Sequence, residues 1–247
     1  MKTTKKKSVS ETGHKKNVAN FSSAYQILEE MSVLYNPSNT AITLAALAPK
    51  KSELTTIMEM LNNKFSIYKN AVTEREMKIE PLGKLMTRTL NASKSSKIST
   101  TDKENLASQV KKIRGDSKPK KNNPETSENE AISTSQMSYD SRIANFKAYI
   151  SQLESHASYA PNETDLQTEN LRVYYQELET VSALVNAAGN AVITARANRN
   201  KLLYFNENNV IQLMKEIKSY VLSIGDSGKP YYNALVKLKF KDLNNKK

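Results

Sequence analysis

Apolar residues in this chain recur at spacings of three and four in several long runs, the period of an amphipathic helix. Val18, Phe21, Tyr25, Leu28 and Met31 form the first run and predict a helix over 17–35 that closes with Val33 and Leu34. Asn36-Pro37-Ser38-Asn39 breaks it and offers Ser38 or Asn39 as the cap of a following helix. The sharpest run is Leu171, Tyr174, Leu178, Val181, Val185, Ala188, Val192 and Ala195, which alternates threes and fours throughout. It predicts a long helix with a coiled-coil-like seam.

The same layout occurs twice, about 124 residues apart. Val18-Ala-Asn-Phe21 returns as Ile143-Ala-Asn-Phe146, and Tyr35-Asn-Pro-Ser-Asn39 as Tyr159-Ala-Pro-Asn-Glu163. The second copy's first helix runs through Phe146, Tyr149, Ile150 and Leu153 to Pro161, with Asn162 or Thr164 as the next cap. Carried back to the first copy, the seam falls on Leu47, Lys50, Leu54, Ile57, Leu61, Lys64, Tyr68 and Ala71, six of eight apolar or aromatic. A repeat of this kind identifies a two-helix hairpin as the building block.

Beyond the seam, Val210, Met214, Ile217, Val221 and Ile224 resume the pattern one position out of phase. A straight helix drifts about 20° per heptad, so one continuous helix over 164–224 fits and is favoured, with a break in the first copy at Pro81 and Gly83; the alternative is a break in the polar stretch Arg196 to Asn209. Short closing helices are expected over 102–114 and 230–240, the second with Pro230 in its first turn. Residues 115–138 are Lys, Asn, Ser, Glu and Pro with few apolar positions, and their composition predicts a disordered linker.

The resulting expectation is an all-α chain of two tandem helical-hairpin repeats. A disordered basic tail covers 1–16, the repeats 17–114 and 139–240, and a second basic tail 241–247. With 247 residues, 38% hydrophobic content and no Trp, the interiors are lean.

Charge sharpens this picture. The net +12 divides into +5 over 1–16, +5 over 229–247 and +3 over 94–138, whereas 17–93 carries +1 and 139–228 carries −2. Electrostatic binding is therefore expected of the terminal arms. No cysteine is present, which removes disulfides and thiolate chemistry, and no run of apolar residues is long enough to span a bilayer. A cytoplasmic setting without membrane association follows as the expectation.

Few motifs suggest a reaction. Gly225-Asp226-Ser227-Gly228-Lys229-Pro230 resembles the segment around the nucleophile of chymotrypsin-like serine proteases, but Lys229 departs from that pattern and the surroundings are helical. Gly225 reads as a helix C-cap and Ser227 as part of the next turn. The two histidines, His14 in the tail and His156 at a helix end, have no metal-ligand spacing, and Glu29, Glu30, Glu74, Glu76, Glu80, Glu177 and Glu179 read as solvated faces. No phosphate loop or dinucleotide fingerprint occurs. No catalytic, metal, cofactor or small-molecule site is therefore expected. Arg75 and Arg199 stand at equivalent positions of the copies and read as a shared salt-bridge position or a solvated one.

Lysine and tyrosine combine at one place. Lys229, Tyr231, Tyr232, Lys237, Lys239 and Lys241 lie close together in sequence and, with Lys5, Lys6, Lys7, Lys15 and Lys16 of the N-terminal arm, are the candidate nucleic-acid contacts.

The two-copy layout, the opening Met1-Lys-Thr-Thr-Lys-Lys-Lys, the Tyr-x-Pro turns and the ending Leu235-Val-Lys-Leu-Lys-Phe240 resemble a group of helical bacterial proteins without an assigned activity. The resemblance implies a helical fold and a bacterial cytoplasm and carries over no functional residue. The favoured expectation is a non-enzymatic structural or adaptor protein that binds a protein partner or itself through helical surfaces. The alternative is a nucleic-acid-associated protein that uses its basic arms.

Overall fold

The computed structural model describes residues 11–115 and 138–243, which are helical with no strand among them. Helix α1 spans Thr12–Glu30, α2 Leu44–Ile79, α3 Leu82–Ser95 and α4 Thr100–Arg114. Helix α5 spans Tyr139–Glu154, α6 Thr168–Asn200, α7 Val210–Ser223 and α8 Lys229–Lys237.

Local chemistry sets the boundaries. The side chains of Ser99, Ser138 and Asn209 cap α4, α5 and α7 by accepting the backbone N–H of Asp102, Ser141 and Gln212. Gly115, at φ 73°, ends α4 in the left-handed conformation open to glycine. In each hairpin turn a tyrosine hydroxyl closes the loop. Tyr35 donates to the Ile42 carbonyl at 2.6 Å and Tyr159 to the Leu166 carbonyl at 2.9 Å.

Packing separates the chain into two compact units that do not follow sequence order. Unit 1 takes residues 1–66 and 190–247, and unit 2 takes 67–189. Helix α2 thus gives its first part to unit 1 and its remainder to unit 2, and α6 does the reverse. The core of unit 1 gathers Phe21, Leu28, Leu47 and Leu54 with Leu203, Leu213, Ile217, Val221 and Leu235. The core of unit 2 gathers Leu82, Met86, Leu106 and Ile113 with Phe146, Tyr149, Leu153, Leu171 and Leu178. In unit 1, α8 packs on α1 and α7 on the Thr40–Ile42 turn; in unit 2, α4 packs on α5 and α3 on the Thr164–Leu166 turn. Each unit therefore combines helices from both halves of the sequence. The apolar faces of α1 and α5 are thus buried in part by helices distant in sequence.

The α6 seam is on the inner side as its period predicts: Leu171, Leu178, Val181, Val185, Val192 and Ala195 are buried. Two expectations change. The helix over 164–224 is not continuous. After Asn200 the chain makes a π-helical turn, Lys201–Phe205, and Asn208 takes a positive φ of 55° before α7 begins. The heptad drift permits continuity in phase, but the polar stretch through Asn209 supplies an asparagine cap, which is a stronger local signal. The break at Pro81 in the first half occurs as expected, between α2 and α3. The N-terminal tail is also shorter than expected, since α1 already begins at Thr12. The linker expected at 115–138 and the tail lysines Lys5, Lys6 and Lys7 lie outside the described residues apart from the linker's end residues, Gly115 and Ser138.

Candidate functional site

Some of the residues singled out by charge come together in unit 1, where the N-terminal turns of α1 hold the segment that follows α8. Gly13, Asn17 and Asn20 are spaced by four and three and share a stripe roughly 60° wide on α1. The segment 239–243 lies along this stripe. Asn20 Nδ2 donates to the Lys239 carbonyl at 2.8 Å, and Asn17 Nδ2 donates to the Lys241 carbonyl at 2.7 Å. The Lys241 amide returns a bond to Asn17 Oδ1 at 3.1 Å. Gly13 closes the contact, because a Cβ there would stand 2.6 Å from Leu243 Cδ1.

Behind this seam is a buried polar cluster. The second N–H of the Asn17 amide donates to the Tyr204 hydroxyl at 3.1 Å, and His14 Nδ1 lies 2.9 Å from the same oxygen. Because the hydroxyl accepts from Asn17, its proton is available to a neutral His14. Burial and then the charge of Arg196 hold the His14 imidazole below its usual range, while burial pushes the Tyr204 phenol up. Arg199, 3% exposed, pairs with Glu11 and donates twice to Asn200 Oδ1, from Nε at 3.0 Å and Nη2 at 2.7 Å. Arg196 joins Glu11 at 3.1 Å and lies over the Phe65 ring. Glu11, the one acid in the N-terminal arm, is thus spent on two arginines.

The candidate contacts separate into groups. Lys16, Lys237, Lys239 and Lys241 are exposed around the seam, and none of them forms an ion pair among the described residues. Lys15 is exposed but turned roughly 160° from the stripe, toward the opposite side of α1. Lys229 is exposed at the start of α8. Tyr231 and Tyr232 do not offer stacking faces, because they flank buried Leu235 and pack against the unit 1 core. The helical period accounts for this: both tyrosines fall on the inward side of α8, and Lys237 falls outward.

Sequence reasoning did not find Glu11, Asn17, Asn20 or Tyr204. The only local signal was an asparagine on the core-facing edge of an amphipathic helix, beside Val18. Its partner is 224 residues away.

The remaining candidates are structural. Arg199 is the salt-bridge position, and Arg75 stacks its guanidinium 4.1 Å from the Tyr139 ring centre in unit 2. Gly225 takes φ 80° just past α7, and Gly228 packs so closely that a Cβ would lie 2.4 Å from the Val221 carbonyl oxygen. The protease-like string is thus a tight turn between α7 and α8. His156 is half-buried beyond α5, with its Nε2 unpartnered. Glu177 pairs with Lys78, Glu154 with Arg172 and Asp165 with Arg88. Among the described residues no three His, Asp or Glu side chains converge as metal ligands, and no helix is long and apolar enough to cross a membrane. Unit 2 has an open groove of about 680 Å³ between α5 and α6. Its Lys147 stands over the Tyr175 ring, and the Tyr175 hydroxyl donates to Glu179, while the buried Ser182 hydroxyl in its wall has no hydrogen-bond partner.

Comparison with protein-family models, curated proteins and solved structures finds no match to this chain.

Proposed function

We propose that the chain consists of two diverged copies of one helical unit with exchanged closing helices, and that it serves as a non-enzymatic structural or adaptor protein in a bacterial cytoplasm. The recurring turn bonds of Tyr35 and Tyr159 support the two-copy reading, as does the parallel placement of Arg199 and Arg75. Each arginine meets the start of the first helix of the opposite copy, at Glu11 and at Tyr139.

The observation that carries the functional reading is the exposed apolar surface on the long helices of unit 2. Ile67, Met77, Val173 and Leu184 are between 49% and 63% exposed. Val173 and Leu184 are eleven residues apart and share one face of α6, opposite the side that supplies Leu171 and Leu178 to the core. Met77 borders a shallow depression on α2 with Asn70, Thr73, Glu74 and Lys78. Apolar side chains that the fold leaves uncovered on its longest helices suit a protein partner.

The test is co-purification from the native host with wild type and with the Met77→Glu, Val173→Glu double variant. A partner held by wild type and released by the variant, at equal helix content, supports the reading. The same proteins with both baits, or none with wild type, refutes it.

A further inference from the structure

The sequence places basic residues in two segments far apart in the chain, and the fold brings the described parts of those segments together. Residues 1–16 carry six lysines and 229–247 another six, against only Glu11 and Asp242. The seam from Asn20 and Lys239 to Gly13 and Leu243 sets residues 13–20 and 239–243 side by side. The consequence for charge is large. The residues of unit 1 hold 20 basic against nine acidic side chains, and those of unit 2 hold 17 against 16. Nearly the whole net charge of the protein belongs to one unit.

Holding like charges together is unfavourable unless something else compensates them. Glu11 is not available for this, being occupied by Arg196 and Arg199. Lys218 lies beside this segment: its ammonium donates to the Leu238 carbonyl at 3.1 Å, and its pKa is lowered first by burial and then by the nearby charge of Lys239. Two asparagine amides nevertheless clamp the lysine-bearing segment to α1. They do so through backbone carbonyls, which leaves the ammonium groups free.

We propose that this clamped junction of the two segments in unit 1 is a binding surface for the phosphate backbone of nucleic acid, with Lys16, Lys237, Lys239 and Lys241 as its described contacts. This proposal is independent of the protein-partner reading of unit 2, and either can fail alone.

The arrangement of the lysines favours nucleic acid over other polyanions. Lys237 ends α8, and beyond it half-buried Phe240 separates exposed Lys239 from exposed Lys241. The chain turns extended at Leu238, and in extended chain residues two apart are spaced about 6.6 Å, close to twice the roughly 3.4 Å axial spacing of phosphates along one strand. Lys239 and Lys241 at that spacing suit a regular polyanion. A lipid surface would call for apolar anchors beside the lysines, but Phe240 packs against the unit 1 core. Lysine ammonium groups neutralise phosphates and read no base. The surface is therefore indifferent to sequence and binds duplex and single strands alike.

The experiment uses the full-length protein and labelled 20-nucleotide DNA and RNA, single-stranded and duplex, read by fluorescence anisotropy at about 50 and 200 mM salt. It compares wild type with the face variant K16Q, K237Q, K239Q, K241Q and with a unit 2 control of equal charge change, K84Q, K94Q, K97Q, K111Q. All eight lysines are exposed. The proposal expects salt-steep binding to every probe, kept by the control and weakened at least tenfold by the face variant with a shallower salt slope. Absence of binding, equal losses in both variants, or binding to phosphatidylserine vesicles without binding to nucleic acid overturns it. Circular dichroism of each variant separates loss of binding from loss of fold.

Discussion

The side chain of Asn17 pairs with both backbone groups of Lys241, donating to its carbonyl at 2.7 Å and accepting from its amide at 3.1 Å. One carboxamide thus does for this segment what a neighbouring strand does in a sheet. Asn17 is 1% exposed, and its remaining N–H is taken by Tyr204.

Asn17→Ala removes three hydrogen bonds and leaves buried polar groups behind. The expected loss is about 2 to 4 kcal/mol in chemical denaturation. The Lys241 amide should also lose its protection from hydrogen exchange, whereas protection in the core of unit 2 should persist.

His14 makes the fold acid-sensitive. Burial and Arg196 hold its pKa below the ordinary value of 6.5, so the folded protein resists a proton that the unfolded chain accepts. Its contribution is complete above about pH 6.5 and declines as the pH falls below that point, until the folded imidazole also titrates. Melting temperature measured from pH 7 down to pH 5 should fall less steeply in His14→Gln than in wild type.

The tyrosines act at the other end of the scale. Burial pushes the Tyr149 hydroxyl, which donates to Thr89 Oγ1 at 3.1 Å, up to about 12, and raises Tyr35 and Tyr159 as well. For these groups the folded pKa lies above the unfolded one, so their contribution is complete below about pH 10 and is lost as pH rises beyond it. Spectrophotometric titration should show these tyrosines ionising together with unfolding, after the exposed ones. Tyr149→Phe should lessen the alkaline loss.

Two glycines predict opposite outcomes. An alanine at Gly228 brings Cβ to 2.4 Å from the Val221 carbonyl and 2.9 Å from Ile224 Cβ, so Gly228→Ala should destabilise by about 1 to 3 kcal/mol. Gly83 lies in the first turn of α3 with open space around it, so Gly83→Ala should stabilise by about 0.5 to 1 kcal/mol. Thermal melts of the two single variants check both.

The period of the apolar residues made the helices legible, since the burial of Leu171, Leu178, Val185 and Val192 follows from spacing alone. Pro81 marked one break because proline acts locally. The junction after Asn200 was not legible, since phase continuity and asparagine capping gave conflicting signals. The exchange of closing helices was hidden for a deeper reason. The period of α8 identifies its inward side, with Leu235, but says nothing of whether that side meets the hairpin just before it or the one at the opposite end of the chain. The lysines of the candidate surface were visible as charge. Their convergence depends on Asn17 and Asn20, whose partners only the tertiary structure supplies.

The exchange is the central claim, and splitting the chain tests it most directly. Residues 1–126 and 127–247, co-expressed as separate polypeptides, should co-purify one to one and unfold together near the melting temperature of the intact protein, because each compact unit takes helices from both fragments. Two fragments that fold separately, stay monomeric and ignore each other on mixing would contradict it.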